Sequence, residues 1–166
     1  MTLAGTDLVR WAKLIGVADI ALHMTLAALG NLVDYDSNWA FVQHVLAMDT
    51  TFQSPALMGR AITDPTLQTA AYLAIIVAEI TGAALLWSGF VLLWRARTDD
   101  ALGFHEAKGL ALFALMWCFA IWTVGFIAIG GEWFAMWQSA TWNGQSGATR
   151  FATVTGIVML FLAIRE

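Results

Sequence analysis

Between residues 69 and 94 the chain carries one charged side chain, Glu79, in an otherwise uncharged, mostly apolar run. At ~1.5 Å per residue a helix over this run outreaches the ~30 Å hydrocarbon core of a bilayer, which about 20 residues suffice to cross. No feature constrains the fold more. In hydrocarbon every backbone N–H and C=O must find its partner inside the protein, which restricts a spanning segment to a helix or a closed barrel. Two further runs, residues 11–33 and 110–130, meet the same length requirement. A fourth, 151–164, is short by itself and spans with snorkelling by Arg150 and Arg165 at its ends. Composition agrees: 12% of the residues are charged and 60% hydrophobic, where a soluble domain carries about 25% charged residues. The expected fold is an all-α membrane protein, one domain over residues 1–166 whose four transmembrane helices, at about 8–33, 66–94, 107–130 and 148–165, form a bundle.

Arg10 and Lys13 precede the first run as in a signal peptide, but Asp19 and His23 interrupt it and no small-residue cleavage site follows. It reads as a retained helix. Alternation of the spans places Arg10, Lys13, Arg95, Arg97, Lys108 and Arg165 on one side of the membrane, with Arg60 and Arg150 on the other. The positive-inside bias then puts both termini in the cytoplasm and makes "RARTDDALGFHEAK" (residues 95–108) a solvated cytoplasmic link.

The two outer segments, residues 34–65 and 131–147, look ordered. In "DSNWAFVQHVLAM" the capping candidates Asp36 and Ser37 lead into Phe41, Val42, Val45 and Leu46 at helical spacing. "SPALMGRAI" repeats the device with Ser54 as cap and Pro55 at the first helical position, and "TDP" (63–65) opens the second span. Short amphipathic helices on the outer end of the bundle are expected. Trp133 and Trp137 share a face if their segment is helical, and with Trp142 they form either an interfacial aromatic belt or a docking surface. Asn143-Gly144 reads as a turn.

Asp19, His23 and Glu79 are ionisable side chains well inside the spans. A carboxylate at the bilayer centre costs ~2.5–3.5 kcal/mol on insertion scales, so partners are expected. Asp19 and His23 lie one turn apart on one helix face, and counting from the cytoplasmic ends brings His23 and Glu79 to similar depth. Three readings stay open: an interhelical polar clamp, a proton or ion pathway, and a contact to lipid, quinone or metal. The small-residue rows Ala74, Ala78, Gly82 and Ala152, Gly156 point to close helix packing. Trp117 and Trp122 read as packing or lipid-facing side chains, and Cys118 as a buried packing residue.

Other chemistry is missing from the sequence. It has no Gly-rich phosphate loop, nucleophile elbow, HExxH or CxxC, no second intramembrane histidine for a bis-His haem, and no basic patch for nucleic acid. No metal site, cofactor or enzymatic activity is expected.

"NWAFVQHVLAMDTTF" (38–52) with "MGRAI" (58–62), and "GEWFAMWQSATWNGQ" (131–145), resemble a bacterial family of unknown function known as predicted small integral membrane proteins. The resemblance covers nearly the whole chain and implies four helices and an inner-membrane location. It implies no activity, and no residue role can be carried over. Because the outer segments carry it, Trp39, His44, Asp49, Arg60, Glu132, Trp133, Trp137 and Asn143 become candidate partner contacts. His44 and Asp49 have an alternative reading, in which Arg60 and the loop's own hydrogen bonds hold them. Two functions follow as expectations. One is a non-enzymatic accessory or interaction subunit, in contact with lipid and a larger inner-membrane complex or further copies of itself. The other is a small oligomeric proton- or ion-coupled transporter or channel using Asp19, His23 and Glu79.

Overall fold

The computed structural model describes residues 5–165. Among these the chain is helical throughout, with no strand: α1 (Gly5–Val33), α2 (Tyr35–Ala47), α3 (Pro65–Ala96), α4 (Ala101–Glu106), α5 (Gly109–Ala120) and α6 (Gln145–Ala163). Alpha5 runs on into a π-helical stretch, Ile121–Trp133, and single 3-10 turns occur at Met58–Arg60 and Met136–Gln138. The four long apolar helices, Asp7–Val33, Pro65–Ala96, Ala101–Trp133 and Gln145–Ala163, are each long and apolar enough to cross a membrane.

Local chemistry sets the boundaries. Alpha3 starts where expected: Pro65 sits in its first turn, and the Asp64 carboxylate accepts from Thr66 N (2.7 Å) and Leu67 N (3.3 Å), two donors that the helix itself leaves unmatched. Alpha2 starts two to three residues earlier than the Asp36-Ser37 cap predicts, at Tyr35 with Asp34 at the cap position. Asp34 N donates to Gly30 O and Asn38 N donates to Asp34 O, so the ladder passes almost unbroken from α1 into α2 and needs no side-chain cap. Ser54 and Pro55 open only a turn, with Leu57 N and Met58 N both donating to Ser54 O. A helix nucleus is costly, and the few residues before Ile62 N turns back to Leu46 O do not extend it. The 95–108 link also differs from expectation. It holds α4, capped by Asp100 on Gly103 N (2.8 Å), and its Phe104 is fully buried.

The spans form a ring in the order α1, α3, α5, α6, each packed on the next and α6 closing against α1. Gly89 carries the tightest approach to another helix's backbone: a Cβ placed there would lie 2.8 Å from Ala111 Cα. Gly82 rests on Cys118, and Gly156 on the Phe119 ring. Around these contacts Leu14, Val17, Leu86, Leu93, Leu115 and Leu162 make a core with almost no exposure. Ala74 and Ala78, by contrast, take no part in that packing and face a groove.

Basic side chains close one end of the ring. Lys13 Nζ (2.6 Å) and Lys108 Nζ (2.9 Å) both donate to Ile164 O, while Arg10 donates to Arg97 O (2.8 Å) and Asp99 O (2.7 Å) and lies over the Phe104 ring. Outward-facing Leu, Ile, Val and Phe side chains such as Leu22, Val77, Phe113 and Ile157 give the bundle a lipid-compatible exterior.

Candidate functional site

Glu79 is 2% exposed, and its partner is neither His23 nor Asp19. Its Oε2 accepts from Asn31 Nδ2 at 2.7 Å, and Tyr72 Oη donates to the backbone oxygen of the same Asn31 at 2.8 Å. Asn31 lies eight residues beyond His23 on α1, about 12 Å along the axis. The expected depth match fails because α1 and α3 are offset. The Asn31 bonds set residue 31 of α1 against residues 72 and 79 of α3, so equal counts from the helix ends reach different depths. The other Glu79 oxygen receives no hydrogen bond from the described residues.

His23 is half-buried between aromatic rings, 3.9 Å from the Phe151 centroid and 6.0 Å from that of Trp122, and its Nε2 has no hydrogen-bond partner among the described residues. Asp19 points elsewhere. It is exposed and follows Ile15 and precedes Leu22 and Leu26 on the outer stripe of α1, at the spacing of one helix face. No hydrogen bond or ion pair from the described residues reaches it, although His23 stands one turn away. Glu79 therefore stands apart, inside the outer half, while His23 lies between helices and Asp19 on the lipid-facing side, within electrostatic reach of each other.

Two cavities meet near Glu79. One, of about 330 Å³, lies between α1, α2, α3 and the π-helical stretch, and is bordered by Asn31, Asn38, Tyr72, Glu79, Trp122 and Phe126 among others. The second, of about 380 Å³, is a groove lined wholly by apolar side chains and glycines from α2, α3, the π-helical stretch and the turn after it. Phe41, Val42, Ile75 and Phe126 border both. The π geometry builds this wall. Phe134 N donates to Ile129 O, five residues back, and residues about four to five apart then stack along one face. Ile121, Gly125, Ile129 and Gly130 accordingly line the groove.

The outer segments are knitted to one another. Trp39 Nε1 donates to Thr69 Oγ1 (3.2 Å), fixing α2 on α3. His44 Nδ1 lies 2.7 Å from Asp49 Oδ2, and its ring stacks on Trp142 at 4.5 Å. Arg60 does not hold that pair. It donates to Trp133 O (3.2 Å) and lies over the Trp133 ring. Asn143 accepts from Gln145 N (3.1 Å) in the expected turn before α6. Glu132 is exposed. Trp133 and Trp137 do not share a helix face, because Ala135 between them takes a left-handed conformation (φ 52°) that breaks the helix. Trp137 instead meets Phe52 edge-on, and Phe52 N donates to Gln138 Oε1 (2.9 Å). Asn31 and Tyr72, which complete the Glu79 site, were not singled out by sequence. The available signal was a carboxamide and a phenol inside otherwise apolar helices.

The chain belongs to the family described as "Predicted small integral membrane protein (DUF2165)", which matches residues 9–165. No curated protein and no solved structure matches it significantly.

Proposed function

We propose that this membrane protein is a non-enzymatic accessory subunit of the bacterial inner membrane, with both termini cytoplasmic, that docks on a larger membrane protein through α1. The exposed Asp19 carboxylate on the lipid-facing stripe of α1 carries this reading. It lies six residues beyond the buried Lys13, about 9 Å into the span, too deep for so short a side chain to reach the interface. An uncovered carboxylate there costs ~2.5–3.5 kcal/mol, which a neighbouring helix offering a cation or hydrogen-bond donor would offset. A two-fold dimer centred on the same stripe would bring two Asp19 side chains together, which favours a different protein as partner. The ordered outer face supports the reading, since it leaves Phe52, Trp133 and Trp137 exposed as aromatic contact surface. The concentration of Lys and Arg at the closed end of the ring supports cytoplasmic termini.

The test is gentle extraction of the tagged chain from its native membrane, followed by native gel electrophoresis and mass spectrometry, for wild type and Asp19→Leu. A stoichiometric larger protein is expected with wild type and is lost in Asp19→Leu, which retains wild-type helicity. A wild-type chain that runs alone, or a partner held equally by both forms, refutes the proposal.

A further inference from the structure

We infer that the outer half of the bundle is a binding site for an uncharged amphiphile, with a hydroxyl head in the Glu79 cavity and a hydrocarbon body in the adjoining groove. The inference is independent of the docking role of Asp19. Both cavities fall in the size range of small-molecule sites, and the four side chains that border both set a polar cavity directly beside an apolar groove.

The lining selects the head. Glu79 offers an acceptor, since only one of its oxygens is engaged, by Asn31. A hydroxyl can donate to the other oxygen without bringing a charge into the site. An anionic head meets the Glu79 carboxyl with no Lys or Arg in either lining. An ammonium answers Glu79 but would shed its hydration along an apolar groove. The body is selected by the groove. Nothing lies within 4 Å of a Cβ placed on Gly125, so this wall keeps room for alkyl carbons.

The experiment measures binding of tritiated dodecanol to the full chain in detergent micelles, with unlabelled dodecanol, dodecylamine and dodecanoate as competitors that share one body. Saturable binding of one dodecanol per chain is expected, with dodecanol competing about tenfold better than either charged analogue. Glu79→Leu should weaken binding by about tenfold, as loss of a buried hydrogen bond predicts. Ala74→Phe, which fills the groove and leaves the polar groups untouched, should weaken it as well while the circular dichroism stays native. Equal competition by all three heads, or wild-type binding by both Glu79→Leu and Ala74→Phe, overturns the inference. Decylhydroquinone separates two sources of the same head chemistry. Tighter binding than dodecanol identifies a phenolic ring, weaker binding an aliphatic alcohol, and either ranking supports the hydroxyl assignment.

Discussion

The Asn31–Glu79 contact joins the outer end of α1 to the middle of α3, and its contribution can be isolated because Asn31 makes two separable bonds. Its side chain donates to Glu79, while Tyr72 donates chiefly to its backbone oxygen, with a longer 3.4 Å approach to Oδ1. Asn31→Leu removes the first bond and leaves Glu79 buried without a partner, a loss of about 1–3 kcal/mol by the usual cost of an unmatched buried polar group. Interhelical hydrogen bonds in membranes measure lower, about 0.6 kcal/mol on average and up to about 1.7, because the unfolded chain also finds partners. Burial of Glu79 places this pair toward the upper end, about 1–2 kcal/mol. Glu79→Leu alone strands the Asn31 amide, which is only half-buried and therefore costs less. The Asn31→Leu, Glu79→Leu double variant removes both groups and should return close to wild-type stability, so that the coupling equals the sum of the two single losses and exceeds the about 1–2 kcal/mol of Asn31→Leu alone. Asn31→Leu with Tyr72→Phe should be additive within about 0.5 kcal/mol, because the backbone acceptor survives. The assay is reversible unfolding by dodecyl sulfate in mixed micelles, followed by far-UV circular dichroism. Additive losses for the Asn31 and Glu79 variants would refute the claim that these side chains are bonded across the helices.

Gly89→Ala should destabilise the bundle in the same assay, by about 1–3 kcal/mol of overpacking less ~1 kcal/mol of helix propensity, since its Cβ meets Ala111 backbone that cannot rotate away. Gly30→Ala, with nothing within 4 Å, should be neutral or stabilising, and equal behaviour of the two would exclude so close an α3–α5 approach. Asp64 has its pKa held below the ordinary aspartate value by the Thr66 and Leu67 backbone N–H groups. A depressed folded pKa contributes stability above the unfolded value of about 3.9 that is lost as pH falls through the folded one. Asp64→Ala should therefore lower the Tm at pH 7 and differ less from wild type as pH falls below the unfolded value, and a difference that does not shrink would refute the cap.

The four spans were legible because their signal is length and apolarity alone, and neither needs a partner to be read. Asp64-Pro65 and Asn143-Gly144 were legible for a related reason: their bonds close within three residues. What sequence missed depends on offset and on backbone departures without a residue signature. His23 and Glu79 match in depth only if the helix ends are level, and the Asn31–Glu79 bond shows that they are not. The π geometry of Ile121–Trp133 moves Gly125 and Gly130 onto one wall, whereas an α-helix would rotate them apart. Trp133 and Trp137 keep helical spacing in sequence and lose it to one left-handed residue, Ala135. Ordinary patterning gave no warning there, because alanine is a favoured helix former.

Packing divides the molecule, and the division decides which sites can be occupied together. In the half closed by Lys13, Lys108 and Phe104 the glycines and alanines draw the helices into contact. In the other half Ala74, Ala78 and Gly125 border open space instead, beneath α2. Asp19 belongs to the first half and looks outward, whereas Asn31, twelve residues on, lies about 18 Å further along α1 and about a third of a turn around it. A helix docked on Asp19 would thus be centred well away from Glu79 and would meet the rim of its cavity only at Leu26. The two variants that remove these groups should consequently dissociate their effects: Glu79→Leu should lose dodecanol and keep the partner, and Asp19→Leu the reverse. If each variant abolished both, the sites would be coupled through the bundle, and the rigid separation of its tight and open halves would be wrong.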